Sequence, residues 1–82
     1  MRKFDYMEFS DYSYVFDAEK YTKEEALKIH NEETESFDAT IDDVKEDYVA
    51  FRLGIDNYEF PDGAYWRGMK GRPGAFKVWV IE

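Results

Sequence analysis

Few side chains in this chain of 82 residues could move a proton or hold a metal. His30 is the single histidine, and Glu33 follows it by three positions. On a helix that spacing puts an imidazole and a carboxylate on one face. They make a minimal acid–base pair, or two of the four ligands of a tetrahedral zinc site. Two ligands do not close such a site, and there is no cysteine to supply a third. The pair therefore reads first as a half-buried helix histidine, and second as the centre of a small enzyme or ligand-binding domain. Ser10, Ser13 and Ser36 carry no nucleophile-elbow motif, and only His30 could serve a triad. Asp56, Asn57, Glu59 and Asp62 offer oxygens, but Tyr58 and Phe60 stand at the third and fifth places, where a calcium loop needs ligands. Gly68, Gly71 and Gly74 bracket Lys70 and Arg72 without the Lys-Ser/Thr pair of a phosphate loop. The expectation is a non-enzymatic protein with no catalytic residues, no cofactor and no metal.

Acidity is the stronger signal. Residues 32 to 47 read EETESFDATIDDVKED, eight acids against Lys45 alone. Such a density creates a negative field that a basic surface can read. One reading is a solvated helix end and linker. The other is a surface whose carboxylates imitate the phosphates of a nucleic acid and fill a basic groove. On that reading the partner-binding residues are Glu32, Glu33, Glu35, Asp38, Asp42, Asp43, Glu46 and Asp47, with Phe37 and Ile41 tying the block to the fold. The partner is a basic protein surface on a nucleic-acid-handling protein.

Charge also excludes. The chain carries 19 acids against 11 Lys and Arg, a net charge of −8, which opposes direct binding of a phosphate backbone and of anionic membranes. It is unevenly spread: residues 1–63 sum to −11 and residues 64–82 to +3. That basic end, with Arg67, Lys70 and Arg72 beside Tyr65 and Trp66, is a second interface candidate together with Tyr12 and Tyr14. Those aromatic faces, or a sheet edge, would serve a homodimer or an assembly.

The elements that must position these groups come from local pattern. The length allows one domain, and 7 Phe, 7 Tyr and 2 Trp supply a core that a disordered acidic tail would lack. Aromatic alternation predicts a strand at about 12–17 and an additional one at 3–8. Thr22 and Glu25 make a capping box that starts a helix over roughly 23–34, with Tyr21 and Ala26 as a staple and Ala26, Leu27, Ile29 and His30 as a narrow apolar stripe. Thr40 and Asp43 repeat the start signal for a short helical turn at 41–46. A strand follows at about 47–54. Phe60-Pro61-Asp62-Gly63 is a turn, residues 64–69 a strand, residues 70–74 a hairpin loop and residues 75–81 a last strand with two apolar faces, hence central.

The fold class expected is α+β: one main helix on a mostly antiparallel sheet of three to five strands, β-α-β-β-β. The absence of cysteine suits a reducing cytoplasm, and the N-terminus has no signal-peptide core. No motif assigns the chain to a named family. In size, acidity, aromatic content and lack of cysteine it resembles the small single-domain proteins of phages and other mobile elements. Some of those inhibit CRISPR effectors or restriction enzymes by occupying nucleic-acid grooves. The resemblance is compositional and transfers no residue role.

Overall fold

Phe76, Val78 and Val80 alternate with Lys77, Trp79 and Ile81, so the last strand needs cover on both faces. The structure, a computed structural model, describes residues 4–9, 11–35, 38–51 and 65–82, and this strand is its middle one of five. In chain order the elements are β1 (Tyr6–Glu8), β2 (Tyr14–Asp17), α1 (Lys23–Thr34), a 3-10 turn (Ile41–Asp43), β3 (Val44–Phe51), β4 (Tyr65–Arg67) and β5 (Phe76–Ile81). The sheet order is β1-β2-β5-β3-β4, and every pairing is antiparallel. The domain is α+β, with β1 as the additional N-terminal strand.

One face of the sheet carries α1. The helix begins where the capping box fixes it. Thr22 Oγ1 accepts from the Glu25 amide at 3.1 Å, and Glu25 Oε1 accepts from the Thr22 amide at 3.0 Å. Ala26 and His30 are buried and Leu27 and Ile29 half-buried, against Phe16, Val44 and Ile81 with Tyr14, Tyr21 and Trp79 at the margin. The indole of Trp79 donates to the Tyr21 carbonyl at 2.9 Å, locking the helix approach to the sheet.

The opposite face closes on itself. Phe4, just before β1, meets Tyr65 of β4 edge to face at 5.0 Å and Phe76 at 5.3 Å. β1 and β4 are the two ends of the strand order, so the sheet curls until its edges converge over Val15, Val49, Val78 and Val80. Arg67 completes the closure by donating from Nη1 to Ser13 Oγ at 2.6 Å, across 54 positions of chain.

The hairpin reading of residues 70–74 is overturned. β4 and β5 both pair with β3, one on each side, and so run parallel to each other. Their connection crosses β3: the Met69 amide donates to the Tyr48 carbonyl at 3.1 Å, and the Lys70 ammonium lies 5.9 Å from the Tyr48 ring centroid. The reason is length and burial. β3 and β5 pair over six positions and cover each other's apolar groups, which leaves three-residue β4 the outer edge. Gly68, Gly71 and Gly74 all have positive φ, which lets so short a crossing turn back on itself.

Some boundaries also move. The strand expected from residue 12 starts at Tyr14, because Tyr12 takes a left-handed φ of 67°. The helical turn expected over 41–46 stops at Asp43, since Val44 pairs with Ile81 and opens β3 there rather than at 47. Leu53, Ile55, the calcium-like stretch 56–63 with its turn at 60–63, Ser10, Ser36 and Phe37 lie outside the described residues. Among the described residues no helix is long and apolar enough to cross a membrane.

Candidate functional site

Strand register brings the acids to one end of the molecule. Glu8, Tyr14, Ile81 and Val44 form a single row across four strands. The β1–β2 turn with Asp11 and Tyr12, the C-terminal Glu82 and the 3-10 turn with Asp42 and Asp43 therefore all lie beyond the same end of the sheet. The last turn of α1 arrives there too. His30 meets the Tyr14 ring edge to face at 5.3 Å, Asn31 Nδ2 donates to the Ala39 carbonyl at 3.4 Å, and the Tyr6 hydroxyl donates to Glu33 Oε1 at 3.5 Å.

The eight acids of residues 32–47 divide by task. Asp43 accepts from the Thr40 amide at 2.7 Å and holds the 3-10 turn. Glu46 pairs with Lys77 at 3.1 Å. Asp47 accepts from the Tyr48 and Gly68 amides at 2.7 and 3.2 Å and pins the crossing connection. Glu46 and Asp47 are neighbours on a strand and so point to opposite faces; the block is not one surface. Glu33 is bound by Tyr6. The carboxylates of Glu32, Glu35, Asp38 and Asp42 are exposed and have no partner among the described residues.

Two of these placements run against local stability. Glu32 and Glu33 occupy the last turn of α1, where no base is present and the negative end of the helix dipole opposes them. Glu35 caps that helix at φ 54°, a conformation that glycine or asparagine adopts without strain. Of these carboxylates, Glu33 acts on two nearby tyrosines. The Tyr6 hydroxyl is pushed above its ordinary range, first by the Glu33 charge, and the Tyr14 hydroxyl is pushed up by burial and then by Glu8 and Glu33.

The second set of candidates is largely absorbed by the fold. Tyr65 is buried against Phe4 and Phe76 and offers no interface, while Tyr14 is half-buried beneath α1 beside His30 and Phe16. Both fall on inward positions of a sheet covered on each face. Trp66 remains 42% exposed and Tyr12 81%. Lys70 and Arg72 are exposed, and Lys70 lies over Tyr48. Arg67 is engaged: besides Ser13 it meets Asp11 at 3.4 Å, Glu82 at 3.5 Å and Asp47 at 4.0 Å. Ser13 in turn donates to Asp11 Oδ1 from its hydroxyl at 2.6 Å and its amide at 3.1 Å. The Ser13 hydroxyl is the first cause holding the Asp11 carboxyl below its ordinary range. The spacing Asp11-Tyr12-Ser13 signals that local turn; nothing local signals Arg67.

His30 and Glu33 do not converge. His30 is buried with Nδ1 3.0 Å from Asn31 Oδ1, and Glu33 turns to Tyr6. Among the described residues no group of three or more His, Asp or Glu side chains is placed to hold a metal. No family model, curated protein or solved structure matches this chain.

Proposed function

We propose that the protein is a non-enzymatic acidic binding module that seats its helix C-terminal end in a basic groove of a nucleic-acid-handling protein, such as a CRISPR effector or a restriction enzyme, and inhibits it by excluding the nucleic acid. One observation carries the reading. Four exposed carboxylates, Glu32, Glu35, Asp38 and Asp42, gather at one end of the fold with no structural task among the described residues, beside a helix terminus that disfavours them. Local stability rules are broken where function asks for it. Exposed carboxylates on a rigid scaffold raise the encounter rate with a cationic groove and set which partner is tolerated. Inhibition then needs no chemistry, only occupancy.

The test compares wild type with a Glu32→Gln, Glu35→Gln, Asp38→Asn, Asp42→Asn variant. Both are tagged and passed through host lysates, then eluted with salt or with single-stranded and duplex oligonucleotides. The expected result is a nucleic-acid-binding protein held by wild type, released by oligonucleotide and missed by the variant. Equal recovery by both forms would remove the reading.

A second reading, a homodimer or assembly subunit, now rests on the exposed Trp66 on edge strand β4. Sedimentation that is independent of concentration for wild type and for Trp66→Ala alike would exclude it.

A further inference from the structure

We infer that His30 and Asn31 form a side-chain relay that positions the connection between α1 and the 3-10 turn: His30, held in its Nδ1–H form, fixes the Asn31 amide, and Asn31 fixes Ala39. The relay belongs to the fold and holds with or without the partner proposed above.

The line of atoms runs from His30 Nδ1 to Asn31 Oδ1 at 3.0 Å, then from Asn31 Nδ2 to the Ala39 carbonyl at 3.4 Å. Its far end sets its near end. A backbone carbonyl only accepts, so the side of the amide that faces Ala39 is the NH2 group. That leaves Oδ1, which also only accepts, facing the imidazole. Nδ1 must then carry a proton, and in a neutral ring Nε2 is the bare nitrogen. The opposite amide orientation would set two carbonyl oxygens against each other. Turning the ring over would set a ring carbon against Asn31 Oδ1 and lose the bond. The ring has little room for another pose: it is 8% exposed and stands at 90° to the Tyr14 ring, with centroids 5.3 Å apart. A polar group at such a depth is costly unless it is bonded, so burial and bonding select one orientation.

Place gives the relay its task. His30 is fixed against β2 through Tyr14, and Asn31 is the next residue of α1. The helix ends soon after, where Glu35 turns the chain away at φ 54°. Ala39 lies beyond that turn and immediately precedes Thr40, whose amide donates to Asp43 at 2.7 Å to start the 3-10 turn. The exposed carboxylates fall on either side: Glu32 and Glu35 on the helix end, Asp38 and Asp42 on the connection and the turn. Asn31 spans the two groups, so the relay sets their spacing. His30 is a positioning residue, acting on Ala39 through Asn31.

Long-range 1H–15N correlation of the imidazole at about pH 9, where an ordinary histidine is neutral, identifies the protonated nitrogen in the wild-type protein. Nδ1 is expected; Nε2 overturns the relay. Backbone 15N relaxation tests the positioning. The Ala39 amide is expected at an order parameter of about 0.85 in wild type, as in rigid backbone, and at about 0.6 or below in His30→Phe and in Asn31→Leu. The amides of residues 23–30 should keep their wild-type values in both. His30→Phe retains a flat ring against Tyr14 and leaves Asn31 in place, so order lost at Ala39 in that variant marks action through Asn31 and not a change in packing. Asn31→Leu is expected in addition to release the tautomer, with Nε2–H appearing. An Ala39 amide unchanged in both variants overturns the positioning role. Order lost uniformly along α1 overturns it too, since it makes His30 a packing residue alone, and failure of either variant to fold counts the same way.

Discussion

Replacing Arg67 by methionine keeps the aliphatic stem and removes the guanidinium that ties β4 to the β1–β2 turn. The largest loss is the 2.6 Å hydrogen bond to Ser13, whose residue is 1% exposed; a hydrogen bond to a charged group contributes about 1.5–3 kcal/mol. The pairs with Asp11 and Glu82 involve carboxylates that are 55% and 73% exposed, so together they add at most about 1 kcal/mol. The 4.0 Å approach to Asp47 adds little, since that carboxylate keeps its two amide donors. The sum is about 1.5–4 kcal/mol, against a total stability of about 4–12 kcal/mol for a chain of this length. The expected fall in Tm is about 6–32 °C. Urea unfolding followed by tryptophan fluorescence measures it, and Trp66 adjoins the site. A cycle with Ser13→Ala should give a coupling of about 1–2 kcal/mol, most of which persists in 1 M salt because the hydroxyl is buried. A loss under about 0.5 kcal/mol, or additive single variants, would refute the closure of the sheet by Arg67.

Three further outcomes follow from the same geometry. Glu32→Gln with Glu33→Gln should stabilise the fold by about 0.3–1 kcal/mol per charge at low ionic strength by relieving the helix dipole; urea midpoints with and without 0.5 M salt check both the gain and its screening. Asp11 has a folded pKa below its ordinary value of 3.8, so its contribution is present above that value and lost as pH falls through the folded pKa. Acid unfolding of Asp11→Asn should therefore lose that share of its pH dependence below about pH 4, and an acid profile identical to wild type would contradict it. Tyr6 has a folded pKa above 10.0, caused first by Glu33; stability is lost as pH rises through the window between the two values. Phenolate absorbance titration of Glu33→Gln should show Tyr6 moving back down, with Tyr14 following by less because burial is its first cause; no movement would break the assigned contact.

Local signals in the sequence determined the fold class, the helix limits and the central strand. The capping box of Thr22 and Glu25 acts within four residues, so the helix begins where those residue types put it. The two apolar faces of residues 76–81 require cover whatever the neighbours are, so that strand had to be central. The acidic density of residues 32–47 is plain in the sequence, but its division is not. Whether a carboxylate caps a turn, pins a crossing chain or stands free depends on amides and cations brought near by folding, as Gly68 is to Asp47. Strand order escaped local reading for the same reason. The residues at 68–74 have hairpin chemistry, yet a turn signal only says that the chain reverses; competition among strands for apolar partners decided that β3 lies between β4 and β5. Arg67 looked like part of a basic patch, and only its approach to Ser13, 54 residues away, made it a structural tie. Tyr12 reversed in the other direction, from a place in a strand to an exposed tip, because the buried turn beneath it fixes a backbone angle that a strand cannot hold. Sequence sets what each segment prefers over a few residues; tertiary structure decides which distant segments satisfy one another, and so which charges and rings are left for a partner.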